Sequence, residues 1–287
     1  MMAAFGFALM IVLIKISGER LPVTQILFVR QLGMALMLSP GIIANLPGSL
    51  KTEKMHLHGT RVLFALGAML FGFTAVIHMP LAEATALGFA KSFFVTIFAV
   101  IILKETVGVY RWSAVAVGFI GVLVMLQPGT AGYSLYGLMA VAGAACAGLV
   151  MVVIRLLSRT EASQTILAYQ AVGVGLVMMV PAWMYWVPPT PREWVLLALV
   201  AIVSYWSQKA NIYAYKHGEA SLLASLDYIR LVYATFFGWL LFHQLPSTLT
   251  LVGAGIIVLA SIYTIHRETR RKQRLASDPD ARGFNNS

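Results

Sequence analysis

The sequence holds a single cysteine, Cys146, inside an apolar run. An intrachain disulfide is therefore excluded, and so is a cysteine-based metal cluster. Charge is scarce: 11% of the residues are Asp, Glu, Lys or Arg, against roughly 25% in a soluble domain. The GxxxxGK[ST] spacing is missing, which argues against direct use of ATP. HExxH and GxSxG are missing too, since Gly132-Tyr133-Ser134-Leu135-Tyr136-Gly137 does not keep the latter spacing. His56 and His58 lie close together in a polar stretch and read as a solvated pair, not a metal site. No cofactor or metal is expected, and no catalytic residues.

What the chain has in excess is apolar side chain. Of its 287 residues, 59% are hydrophobic, and the mean hydropathy is +0.81. That composition excludes disorder, a coiled coil and a disulfide-stapled secreted module. A soluble enzyme is excluded in the same way, because this much apolar surface needs lipid as its solvent. A membrane-spanning helix uses about 20 residues. Ten of them would nearly exhaust the chain and leave no room for a soluble domain.

Ten apolar segments are legible: 2–17, 23–43, 61–79, 83–103, 111–127, 133–155, 165–187, 194–215, 219–242 and 247–266. Turn or charge signals separate them, such as Ser17-Gly18-Glu19-Arg20, Gln127-Pro128-Gly129 and Pro188-Pro189-Thr190-Pro191. The first segment reads as a retained span, because its first lysine, Lys15, is at the wrong end for a signal peptide. From Arg267 onward the chain turns polar and basic.

The loop cations set the orientation. With the N-terminus placed in the cytoplasm, Lys51, Lys54, Arg61, Lys104, Arg111, Arg155, Arg159, Lys216 and the basic tail all fall on the cytoplasmic side. Only Lys15, Arg20 and Arg192 fall outside. Both termini are therefore expected in the cytoplasm, at the cytoplasmic (inner) membrane. The net charge of +10 reflects this topology rather than nucleic-acid binding. Arg30, Lys91, Lys209, Arg230 and Asp227 remain inside spans. A charge there costs at least about 2.5 kcal/mol on the insertion scale, so these residues are the first candidates for function.

The two halves resemble each other. Leu27-Phe28-Val29-Arg30 aligns with Leu167-Ala168-Tyr169-Gln170, Glu83-Ala84-Thr85 with Glu219-Ala220-Ser221, and Leu103-Lys104-Glu105 with Phe242-His243-Gln244. Each half holds five segments, and an odd number inserts the second half upside down relative to the first. The expected fold is an all-α polytopic membrane protein of ten transmembrane helices in two inverted five-helix repeats. The first repeat covers 1–129, the second 130–267, and 268–287 form a disordered basic cytoplasmic tail. In such architectures the binding site lies near the membrane midplane, between the repeats.

At these residues the chain resembles the EamA branch of the drug/metabolite transporter superfamily. The likeness rests on Leu27-Phe28-Val29-Arg30, on His78-Met79-Pro80-Leu81-Ala82-Glu83-Ala84-Thr85-Ala86, and on Leu103-Lys104-Glu105 followed by Trp112 and Gly118-Phe119-Ile120-Gly121. In the second half it rests on Asp227-Tyr228-Ile229-Arg230-Leu231-Val232 and Gly238-Trp239-Leu240-Leu241-Phe242. The family often has a proline where this chain reads Ala90-Lys91-Ser92-Phe93, and Gly-Glu where it reads His243-Gln244. The resemblance implies a secondary transporter of small organic metabolites, a class that includes amino-acid-like, vitamin and nucleoside-like substrates.

Lys91 and Asp227 are repeat equivalents and should differ in depth by only about 6 Å, which a lysine stem can span. They are expected to face each other as a substrate or gating pair; the alternative is a structural ion pair. Arg230 shares a helix face with Asp227. Lys209 either snorkels or lines the cavity, while Arg30 and its equivalent Gln170 sit on spans two and seven. Tyr205, Trp206 and Tyr228 could stack on a flat or cationic substrate. Trp183, Tyr185, Trp186 and Trp194 read as an interfacial belt. Glu83 and Glu219 open spans four and nine, where a carboxylate suits the helix dipole or acts as a gate. Ala140, Ala144 and Gly148 recur every four positions and should admit a close helix neighbour.

The function expected is alternating-access transport, with export favoured over import. The partners are a small-molecule substrate, the lipid bilayer and a proton as candidate coupling ion, with a monomeric or homodimeric chain and no nucleic acid. The alternatives are a non-transporting scaffold or subunit and, least favoured, a membrane-embedded enzyme.

Overall fold

The computed structural model describes residues 2–44, 52–128, 134–217 and 228–277. Within them it contains helices and connecting turns, with no strand. The helices are α1 (Met2–Ser17), α2 (Val23–Ile43), α3 (Met55–His78), α4 (Leu81–Gly88), α5 (Lys91–Leu103) and α6 (Val109–Leu126). The second half holds α7 (Leu135–Leu157), α8 (Ser163–Met184), α9 (Pro191–His217), α10 (Ile229–Phe242) and α11 (Thr248–Ser277). Taken with α4 and α5 as one broken span, they follow the ten apolar segments. Among the described residues six stretches are long and apolar enough to cross a membrane, and α1, α10 and Thr248–Thr264 are shorter apolar helices. The last helix continues through basic residues to Ser277, into the stretch read as tail. The chain is an all-helical, multi-pass membrane protein.

Helix packing repeats between the halves. α3 packs on α7 and α1 on α9; α2 packs on α9 and α3 on α8; α4 and α5 pack on α7 and α1 on α10. The remaining major contacts, α2 on α8, α6 on α11 and α4 on α10, each join one helix to its counterpart. Exchanging the halves therefore maps this contact pattern onto itself. A matching detail is the helix end. Lys104 (φ 53°, ψ 31°) caps α5 and His243 (φ 53°, ψ 30°) caps α10, both left-handed. The next amide then closes a wide turn, from Glu105 N–H to Ala99 O and from Gln244 N–H to Gly238 O.

Small residues set the closest crossings, as Ala140, Ala144 and Gly148 lead one to expect. A Cβ at Gly148 would meet Phe94 Cβ at 2.8 Å and the Lys91 carbonyl at 3.1 Å. Between α6 and α11, a Cβ at Gly121 would meet the Gly253 carbonyl at 2.9 Å. Trp183, Tyr185 and Trp194 are exposed.

Candidate functional site

The fourth span breaks where Lys91 sits. Phe89, Ala90, Ser92 and Phe93 each donate their N–H to the carbonyl three residues back. That tighter winding interrupts the α-helical register between Gly88 and Lys91. In span nine the described helix begins at Ile229, and Leu231 N–H bonds to Tyr228 O at 2.9 Å in its first turn. The helix before the break, α4, packs on α10.

Aromatic rings line this region. The Tyr228 ring lies 4.7 Å from that of Phe89. The Arg230 guanidinium stands 4.9 Å from the centre of the Phe7 ring and 5.9 Å from that of Phe89. Tyr228 and Arg230 thus gather on Phe89, two residues before Lys91. Asp227 and Glu219 lie outside the described residues. At the other end of α4, Glu83 accepts a hydrogen bond from Thr250 Oγ1 at 2.8 Å, tying the first turn of span four to span ten.

A second polar group runs between spans two, three, seven and eight. Arg30 is buried; its Nε donates to Ser204 Oγ at 2.8 Å and its Nη1 to Gln31 Oε1 at 2.7 Å. Its guanidinium also lies 5.7 Å from the Phe73 ring centre. Gln31 Nε2 reaches the Gln170 carbonyl at 3.4 Å. The Gln170 side-chain oxygen in turn accepts from Arg61 Nη2 at 2.5 Å, and Arg61 Nη1 donates to Ile166 O. The repeat equivalents Arg30 and Gln170 therefore belong to one network.

Lys209 and its two aromatics form a third, separate group. Its ammonium sits 5.1 Å from the Trp206 ring centre and 5.8 Å from that of Tyr205. Lys209 and Trp206 are exposed, whereas Tyr205 packs against the Met34–Leu38–Ala171 cluster.

Three polar residues were misread from the sequence. Arg61 was assigned to a loop, yet it is buried in α3. A signal was present, since His58, Arg61 and Ala65 share one helical face, and all three are buried. His58 is not solvated: its Nε2 lies 2.5 Å from Glu161 Oε2 and its ring stacks on Tyr169 at 4.2 Å. Polarity suggested water, but a carboxylate more than a hundred residues away supplies the partner. Lys15 was counted as a loop cation. Its ammonium folds onto the C-terminal end of α3 and donates to the carbonyls of Val76, Ile77 and Met79 at 2.9, 3.2 and 2.6 Å. Among the described residues no group of His, Cys, Asp and Glu could hold a metal ion.

A family model described as the EamA-like transporter family matches residues 1–127 and 134–265. The chain is 31% identical over 268 residues to the pseudopaline exporter CntI of Pseudomonas aeruginosa (strain UCBPP-PA14), covering 91% of this chain and 92% of that one. It is 27% identical over 262 residues to an S-adenosylmethionine uptake transporter of Rickettsia prowazekii, covering 90% and 88%. A riboflavin transporter of Vibrio cholerae is 28% identical over 230 residues, covering 79% and 76%. A crystal structure of another protein superposes with a TM-score of 0.60 at 18% identity, over 95% of this chain and 98% of the other. At that identity the likeness shows the fold.

Proposed function

The chain belongs to the EamA-like transporter family, a metabolite transporter and not an enzyme, and on that premise we propose how it works. It moves a small organic metabolite across the cytoplasmic membrane by alternating access, in the direction of export. Two inverted repeats rock around a central site between spans four and nine, at the break in span four. Lys91, Asp227, Arg230 and Tyr228 bind and gate the substrate there, with Arg30 and Gln170 beside it and Lys209, Tyr205 and Trp206 on span eight. Both termini are cytoplasmic, and a proton is the candidate coupling ion.

The observation that carries this reading is the interruption of span four at Lys91, where α4 packs on α10, its counterpart helix in the other repeat. Broken spans are where transporters of inverted repeats bind substrate, because unwound backbone at membrane depth persists only where it lines a cavity or is buried in protein. The repeated helix ends at Lys104 and His243 support the internal repeat. The loop cations support the orientation. The printed activities of the relatives run in both directions, so export rests on the similarity to the pseudopaline exporter.

The test is a thermal-shift screen of the purified protein against a panel of amino acids, vitamins, nucleosides and amines. Wild type and the Lys91→Ala/Asp227→Ala double variant run in parallel, and each hit is then assayed for uptake into proteoliposomes. A ligand at a hundred times its Kd adds about 2.7 kcal/mol of stability. A hit that is transported by wild type and lost in the double variant is the expected result. A hit bound and transported equally by both moves the site elsewhere. Hits that bind without ever being transported overturn the reading.

A further inference from the structure

The two buried arginines of the first half draw their acceptors largely from the second half. Arg30 donates to Ser204 of α9, and Arg61 donates to Gln170 and Ile166 of α8. Within its own half Arg30 has the Gln31 side chain and, at 3.7 Å, Met69 Sδ. Every acceptor is neutral. Among the described residues no carboxylate pairs with either guanidinium; the ion pairs there are Arg20–Glu193, His58–Glu161 and Arg155–Glu105. The Arg61 Nε is buried with no hydrogen-bond partner.

A buried cation kept for structure alone is ordinarily paired with an opposite charge. Here two cations face neutral oxygens across the line between the repeats. If the repeats rock, as proposed above, this is a line that must part. Parting strips Arg30 of Ser204, leaving it Gln31 and Met69, and strips Arg61 of Gln170 and Ile166, so both guanidinium forks are left short of acceptors. A carboxylate matches such a fork, with two oxygens in one plane. The amide oxygens of Gln31 and Gln170 are its neutral counterparts, carried on the same planar carbon geometry.

We propose that Arg30 and Arg61 form a binding site for the carboxylate of an anionic or zwitterionic substrate, occupied when the repeats part and handed back to Ser204, Gln170 and Ile166 when they close. The proposal rests on the alternating-access reading and adds a substrate class to it. Arg61 is the residue it assigns anew. The site is separate from the break at Lys91, so one substrate can place its carboxylate here and its remaining groups against Tyr228 and Arg230.

The probes are citrate and succinate, each compared with its neutral methyl ester, in thermal-shift titrations of the full chain. Wild type should respond to the acids and not to the esters. Arg61→Gln and Arg30→Gln should abolish that response. Arg61→Lys keeps the charge but loses the planar fork, so it should respond with affinity weakened by about tenfold. The double variant Arg270→Gln/Arg271→Gln, in the basic tail, should respond like wild type, which separates the site from general attraction to a +10 chain. The ligand-free melting point shows which variants fold, and Arg61→Lys carries the test if Arg61→Gln does not.

Equal responses in wild type and Arg61→Gln overturn the proposal, as does no response to either acid, or a response lost only in the tail variant. The two readings fail differently. A protein that transports a metabolite with Arg30→Gln and Arg61→Gln undiminished loses the carboxylate site and remains a transporter. One that binds carboxylates through Arg61 but transports nothing keeps the site and loses the transport reading.

Discussion

His58 and Glu161 hold each other inside the protein, with Nε2 2.5 Å from Oε2 and side chains only 2% and 6% exposed. The histidine belongs to the first turns of α3 and the carboxylate to the turn between α7 and α8. The exchange of halves relates this contact to another. Arg20, in the turn between α1 and α2, grips Glu193 in the first turn of α9. Each clasp ties the turn after the first helix of one repeat to the start of the third helix of the other. One is buried and the other lies at the surface.

Breaking the buried clasp from one side is expected to be costly. Glu161→Ala leaves the imidazole without its partner and should lower stability by about 3 kcal/mol or more. Replacing both, as His58→Phe with Glu161→Leu, should recover most of that loss, because an apolar pair leaves no buried imidazole or carboxylate unpaired and only the Thr52 hydroxyl loses its acceptor. Unfolding of wild type, His58→Phe, Glu161→Leu and the double variant in detergent, analysed as a double-mutant cycle, checks this. Additive losses would mean that the pair is not coupled.

The surface clasp has a pH signature. Arg20 donates to both Glu193 oxygens, from Nε at 2.7 Å and from Nη2, and Thr190 N–H adds a third bond at 2.7 Å. These bonds, with that of Arg20 leading, hold the Glu193 carboxyl down at about 2, below its ordinary 4.5. A carboxyl pKa depressed in the folded state gives stability that is complete above the unfolded value. That stability is then lost as pH falls through the folded one. The contribution should be flat above pH ~5 and fade between there and pH ~2. Glu193→Gln should flatten this acid limb without changing its alkaline side. Melting temperature followed against pH in both proteins is the measurement.

The repeated left-handed caps make a third expectation. Lys104 and His243 adopt φ 53°, a conformation that costs a side-chain-bearing residue roughly 1–2 kcal/mol and glycine very little. Lys104→Gly and His243→Gly should each stabilise the protein by about 0.5–1 kcal/mol, the gain at the cap being reduced by the added freedom of the unfolded chain. Chemical unfolding of the single and double variants checks this, and near-additive gains are expected at positions with no shared partner. Destabilisation by either substitution would show that the side chain does more than occupy the cap.

Span positions were legible because lipid leaves so few choices. A run of about 20 apolar residues must be a helix that satisfies its own backbone, so hydropathy alone located α2, α6, α7 and α8 to within a few residues, whereas α3 begins at Met55 and not at 61. The matching motifs at Lys104-Glu105 and His243-Gln244 were legible for a related reason, since the same residues make the same helix end. The break at Lys91 was not legible. Ala90-Lys91-Ser92-Phe93 contains neither proline nor glycine, and its tighter winding is a property of packing. The partners of His58, Arg61 and Lys15 were hidden too, because each lies on another helix.

The sequence by itself determined that this chain crosses a membrane several times, that it repeats itself, and that it carries cations where lipid tolerates them poorly. These follow from composition and spacing along one strand of polymer, and from the cost of leaving apolar or charged groups in the wrong solvent. Only the tertiary structure decided which cations serve as struts and which face neutral acceptors across the repeats. Lys15 closes a helix end, His58 takes Glu161, and Arg30 and Arg61 reach over to Ser204 and Gln170. A hydrogen bond depends on angstrom-scale distance, and helix packing alone sets that distance between residues a hundred or more apart in the chain.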